Sequence, residues 1–167
     1  MKKLFLLAVT SVFAMSAAQA MASEATAQGK AKATIVNDVQ INAVNGEDLD
    51  FGTIIATANL NKITVKASDG TRTASVPNSL SPVRTSKAGK FTISGSPNVV
   101  VTLNAITPID LAGPGEAMHV TNLSYSTDTV TLDDQGAGEF TVGGVLTVNP
   151  AQAVGDYEGE YTVTASY

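Results

Sequence analysis

His119 is the only histidine in the chain, and so the only side chain whose ordinary titration range lies near neutral pH. In a Ser-His-Asp arrangement it would have to act as the base, with an acid behind it and a hydroxyl before it. It sits between Met118 and Val120 in the alternating run MHVTNLSY, within no catalytic motif. That setting describes a solvent-facing strand residue. With one His and no Cys, a zinc site of the usual N/S type has no ligand set. Asp133-Asp134-Gln135-Gly136 and Glu47-Asp48-x-Asp50 are the acidic clusters that a hard cation would need. Neither has the regular acid spacing or the twelfth-position Glu of a calcium loop. Asp and Asn bond their own backbone in turns, so both clusters read as solvated turns. Gly138, Gly143 and Gly144 fit neither a phosphate loop nor a dinucleotide fingerprint. The acids fall at turns and polar strand positions, with no visible pair for glycoside chemistry. No catalytic, cofactor-binding or metal-ligating residue emerges, and the expectation is a protein that is not an enzyme and uses no cofactor.

Sugar recognition would call for exposed aromatic platforms. The chain has no Trp, four Tyr and five Phe, two of the Phe within the first twenty residues. A lectin role has no sequence feature behind it.

The elements that would position any site are strands. Sustained apolar spacing at i, i+3 and i+4 is absent after residue 20. Short alternating runs recur between Gly, Pro, Asn and Asp clusters, the pattern of an all-β sandwich or barrel. The runs are 31–41, 49–55, 62–67, 71–76, 90–94, 99–105, 118–125, 129–132, 138–142, 145–148 and 157–167. Asn37 interrupts the first. Gly52 in the second points to a bulge or a close backbone approach. Asp69-Gly70 is a hairpin signal, residues 107–116 read as a long loop, 129–132 pairs with 138–142, and Gly143-Gly144 makes a sharp bend. No internal repeat or second domain is visible. The expected fold is an all-β, immunoglobulin-like (pilin-like), two-sheet antiparallel β-sandwich behind a cleaved signal peptide.

Residues 1–20 read as that signal. Lys2 and Lys3 precede the apolar run LFLLAVTSVFA, and Ala18-Gln19-Ala20 is a small-x-small cleavage site. Ala20-Met21-Ala22 is a second site two residues on. The apolar run is shorter than the about 20 residues that span a bilayer, and no integral membrane segment is expected after cleavage. Residues 21–30 read as a flexible N-terminal extension, and residues 31–167 as the domain. The first twenty residues hold two of the ten basic residues and none of the fifteen acidic ones. The remainder therefore carries eight against fifteen, a net charge of −7. That balance argues against nucleic acid and anionic lipid. An exported domain without Cys must hold together by packing or by contacts with other chains.

The last eleven residues, YEGEYTVTASY, are the cleanest strand. Tyr157, Gly159, Tyr161, Val163, Ala165 and Tyr167 share one face. A chain that closes on a packed strand is typical of surface-polymer subunits, where that strand is gripped by a chaperone, an assembly pore or a neighbouring subunit.

Three segments carry a resemblance. They are Leu49-Asp50-Phe51-Gly52-Thr53-Ile54, Ala88-Gly89-Lys90-Phe91-Thr92-Ile93-Ser94-Gly95, and Val142-Gly143-Gly144-Val145-Leu146-Thr147-Val148 running on to Gly155-Asp156-Tyr157-Glu158-Gly159-Glu160-Tyr161-Thr162-Val163-Thr164. Together they resemble the bacterial secreted family known as domain of unknown function 4402, from about Ala33 to Tyr167. The ending and the Leu49-Asp50-Phe51-Gly52 strand also resemble archaic chaperone–usher pilin subunits related to spore coat protein U. The resemblance implies a Gram-negative exported sandwich that lacks a strand, which a neighbour's N-terminal segment supplies by β-augmentation.

The expected role is an exported structural or adhesion-type subunit. It would be fimbria-like and located in the periplasm, on the outer-membrane surface or outside the cell. Its expected partners are further copies, a periplasmic chaperone or an outer-membrane assembly partner. The residues expected to mediate assembly are Ile35, Val39 and Ile41 on the donor side, with Tyr157, Tyr161, Val163 and Tyr167 beside the acceptor groove. Residues 31–41 fit either a donor strand or the domain's own first strand. The alternative role is a self-complete monomeric sandwich that binds a glycan or a protein through loops such as 107–116.

Overall fold

Period-two alternation needs partners to become sheet, because every strand amide must find an acceptor. In the computed structural model, which describes residues 24–167, all regular elements are strands. The expected signal peptide and residues 21–23 of the extension lie outside the described residues. Residues 24–34 carry neither helix nor strand and are exposed; they belong to a unit separate from Ile35–Tyr167.

The second unit holds ten strands: β1 (Gln40–Ala43), β2 (Asn61–Val65), β3 (Arg72–Ala74), β4 (Gly89–Ser94), β5 (Val100–Leu103), β6 (Ile109–Leu111), β7 (Met118–Tyr125), β8 (Thr129–Thr131), β9 (Ala137–Val148) and β10 (Ala165–Ser166). They form two antiparallel sheets. One runs β1-β4-β9-β2-β3, with β7 on β9 and β6 on β7; the other is β10-β5-β8. This is the all-β, two-sheet antiparallel sandwich expected.

The twelve-residue β9 organises the larger sheet. Val142 pairs with Gly89 on one edge and Tyr125 on the other, and Val145 pairs with Thr64 and Thr121. β7 therefore follows one edge, while β4 and β2 share the other end to end. Gly143-Gly144 does not bend the chain as expected; both glycines sit within the strand. The seam between β4 and β2 falls at Gly143, where a Cβ would land on the backbone of Val65 and Ala67. The bare backbone lets the β2 end close against β9.

The buried apolar side chains form two clusters. One holds Phe51, Ile63, Val65, Met118, Val120, Leu146 and Val148. The other holds Ile93, Val101, Leu103, Val130, Leu132, Phe140 and Val142, between the two sheets. Leu49 and Leu123 touch both. At ~25 cal/mol per Å² of buried apolar surface, these clusters are the main source of stability in a chain without Cys. Asn61 is buried among them. It donates to Ser79 Oγ at 2.8 Å and accepts from Val76 N–H and Ser75 Oγ, so its amide costs no unpaired group.

Several expected elements take other forms. The first strand starts at Gln40, well after Ala31. Residues 49–55 make only single bridges, Asp50 to Lys87 and Ile54 to Leu80. Residues 107–116 include β6, which borrows its ladder from β7. β8 pairs with β5 and not with β9, because Asp133 turns the chain from one sheet to the other: its carboxylate accepts from Gln135 and Ala137 N–H. The run 118–125 does not alternate throughout: it carries a β-bulge between Thr121 and Ser124, with Asn122 at φ 50°.

Candidate functional site

The final segment keeps its alternation but not a continuous ladder. Tyr157, Tyr161, Val163 and Ala165 are half-buried, and the residues between them are exposed. On its inner edge Glu158 exchanges two backbone bonds with Ala112, Thr164 accepts from Asn104 N–H, and β10 pairs with β5. Residues 159–163 make no backbone–backbone hydrogen bond among the described residues. The outer edge has no strand partner along its length.

β1 is the corresponding edge of the larger sheet. Its inner edge is paired with β4, Ile41 against Ile93 and Ala43 against Phe91, and its outer edge is free of strands. Val39 and Ile41 from this side, and Tyr161, Val163 and Ala165 from the other, pack on the same inter-sheet cluster. The two edges run in opposite directions. Tyr161 lies edge-on to Phe91 at 6.0 Å, across from Ala43, whereas Tyr167 reaches Asn37. No backbone hydrogen bond joins them among the described residues. The result is a mouth between two open strand edges, with apolar side chains beneath it.

Of the residues expected at this site, the structure brings Val39, Ile41, Tyr161 and Val163 together. Tyr157 belongs to the other cluster, where its hydroxyl donates to Ala153 O and accepts from Gly115 N–H. Ile35 is 95% exposed and lies in no strand. Tyr167 turns its ring to the larger sheet: its hydroxyl donates to Asn37 O at 2.6 Å and accepts from Ser96 N–H at 2.9 Å. Asn37 N–H in turn donates to Ser96 Oγ at 2.7 Å. Sequence reasoning missed Ser96. The only trace was Asn37, which breaks the alternation where the chain is pinned sideways.

Burial pushes the Tyr161 hydroxyl up to about 12 from 10.0, with the charges of Asp48 and ionised Tyr125 adding to the effect. The unfolded chain releases this proton near pH 10 and the folded chain near 12. The stability held by the neutral phenol is therefore complete below pH 10 and lost as pH rises from 10 through 12. A falling melting temperature over that window is expected, with a smaller fall in Tyr161→Phe. Tyrosinate absorbance should show one tyrosine titrating last; its titration with the exposed ones would refute the assignment.

The other candidates stay apart from this site. His119 is exposed, and its Nδ1 meets Asp110 across the β6–β7 pair; its other cross-strand neighbour is Thr147. Asp50 pairs with Arg84 at 2.7 Å and accepts from Gly52 N–H, and Glu47 lies 3.7 Å from Lys87. A shallow open depression of about 420 Å³ lies over the β7 bulge, lined by Thr64, Lys66, Asn122, Ser124 and Ser126 among others. None of the helices needed to cross a membrane as a long apolar span occurs among the described residues.

The family model described as "Domain of unknown function (DUF4402)" matches residues 39–167. The chain belongs to this family. The DUF4402 match opens at Val39 and takes in all ten strands, the free edge of β1 and the whole C-terminal edge. Ile35 and the residues before it lie outside the matched DUF4402 span. No curated protein and no solved structure matches the chain.

Proposed function

We propose that this chain is an exported, non-enzymatic structural subunit that joins further copies by strand complementation. The observation that carries the reading is the mouth between β1 and the C-terminal segment, with two unpaired strand edges over one apolar cluster. Open edges of this kind invite an added strand and are otherwise an aggregation hazard. The donor is the N-terminal run around Ile35 of another copy. Val39 and Ile41 already cover the subunit's own cluster, so the part left to donate lies before Asn37. Charge favours the match. Lys30 and Lys32 alternate with the small residues of the donor, and Glu158 and Glu160 lie on the polar face of the acceptor segment. A fimbria-like or surface-layer polymer outside the inner membrane is the setting this implies.

The test is an SDS gel of the chain expressed with its own leader, unboiled against boiled. A heat-labile ladder is expected, since exchanged strands are kinetically trapped. Ile35→Asp should remove the ladder and leave the melting temperature unchanged, because the side chain touches none of the subunit's own core. A full ladder from Ile35→Asp would sink the donor assignment. A single monomer band from the unaltered chain in both lanes would overturn the structural reading. The hydroxyl-lined depression over the β7 bulge would then be the place to screen glycans.

A further inference from the structure

We infer that Tyr167, Asn37 and Ser96 form a clip that couples the two edges of the mouth, so that a strand docking on the C-terminal edge frees β1. The inference rests on the strand-complementation reading and adds an order of events to it. Three hydrogen bonds make the clip, and they close a ring through the last residue of the sequence, the lead into β1 and the turn after β4. Gly95 accommodates it. A Cβ there would fall against the Tyr167 hydroxyl and come within 3.1 Å of Leu132 Cδ1. Tyr167 belongs to the smaller sheet's edge, and Asn37 and Ser96 flank the larger sheet's β1–β4 pair. The tyrosine therefore spans the mouth from one sheet to the other and closes one end of it.

β1 needs such a tether. It has four residues, one partner strand and mostly exposed side chains. A short edge strand of this kind opens easily without something to hold its end. Residues 24–35, the described part of the chain that leads up to it, make no regular structure. The clip is the fixing point where free chain becomes sheet.

A strand laid along Tyr161–Tyr167 would take up the space that the tyrosine ring crosses. Docking and clip closure then compete for one position. Two events that exclude the same contact are linked, and each must weaken the other. Docking at the C-terminal edge would release Asn37 and loosen β1, leaving the lead around Ile35 longer and freer to reach the next copy. Growth would then favour subunits whose acceptor edge is already filled.

The experiment is amide hydrogen exchange on the full chain as a monomer, with and without a synthetic peptide of residues 30–36, the part of the donor before Asn37. Peptide binding is read independently by fluorescence anisotropy. Bound peptide should speed exchange of the Gln40–Ala43 amides by about tenfold, the factor that one or two lost hydrogen bonds carry, while the amides of β2 and β9 stay unchanged. Tyr167→Phe removes the hydroxyl and Ser96→Ala removes only the acceptor of Asn37 N–H. Both should show fast β1 exchange without peptide, and little further gain with it. Binding with no change at β1 would overturn the coupling and leave strand complementation standing. No binding at all would overturn both. Equal acceleration across β1, β2 and β9 in the variants would mean general destabilisation, and the clip would be refuted.

Discussion

Gly143→Ala is expected to cost about 4 kcal/mol or more, enough to leave little folded protein. The added methyl would fall on Ala67 N and Val65 O, which are backbone atoms with no rotamer to change. Neither side can retreat. β2 is held to β9 in register from Asn61–Val148 to Val65–Gly144, and Thr141 Oγ1 donates to Ala67 O at 2.5 Å. A shift that relieved the clash would break these bonds and uncover Ile63 and Val65. Gly144→Ala is the control. Its methyl would meet Leu123 Cδ2 at 3.0 Å and Val120 Cγ1 at 3.3 Å, both side-chain carbons. Overpacking of that kind costs about 1–3 kcal/mol. Urea unfolding of the two variants checks the contrast, and equal losses would show that the seam is not the constraint.

Arg72→Met should lower stability by about 2–4 kcal/mol, because hydrogen bonds from a charged donor are worth more than neutral ones. Arg72 Nη1 donates to Phe51 O at 2.8 Å and Thr53 O at 3.1 Å, and Nη2 donates to Ser81 O. One guanidinium thus ties two irregular segments that have only single bridges of their own. Between them they lay Phe51, Ile54 and Leu80 over the Ile63–Leu146 cluster. Gly52 takes φ +70° so that these carbonyls can converge, and a Cβ there would fall on Nη1. Methionine keeps the stem and loses the fork. Arg72→Lys should recover less than half, since an ammonium is a point charge and cannot span three carbonyls as a planar fork does. Thermal unfolding with exchange at residues 50–54 would check it. A lysine variant as stable as the original would refute the clamp.

The sandwich was legible because it depends on local alternation. ITV in 62–67 and VVV in 99–105 bury every second side chain, FTI in 90–94 lays Phe91 and Ile93 on the inter-sheet cluster, and β2, β4 and β5 lie where those runs do. The family was legible as well, from motifs spread between Leu49 and Thr164. What misled was pairing. Gly143-Gly144 resembles a turn by composition, yet Gly143 is required by the backbone of Val65 and Ala67, far earlier in the chain. The run 129–132 resembles the partner of 138–142 by proximity, yet Asp133 sends it to the other sheet. The loop 107–116 resembles no strand, and Ile109–Leu111 becomes one because β7 offers it a ladder.

The candidate site divides in the same way. Tyr161, Val163, Val39 and Ile41 could be picked out from the sequence by period two alone. That they face one cluster from opposite sheets could not. The Tyr167 clip left almost no trace, because its three partners are separated by 59 and 71 residues and bond through backbone groups of Asn37 and Ser96 and the hydroxyls of Ser96 and Tyr167. By itself the sequence determined the strand-forming character, the lack of Cys, the acidic balance and the alternating C-terminal segment, all properties of neighbours along the chain. The tertiary structure alone decided which edges stay open, where β1 begins and what the last tyrosine holds. Those depend on which backbone donors and acceptors remain unpaired once the rest of the chain has packed, a quantity no local pattern contains.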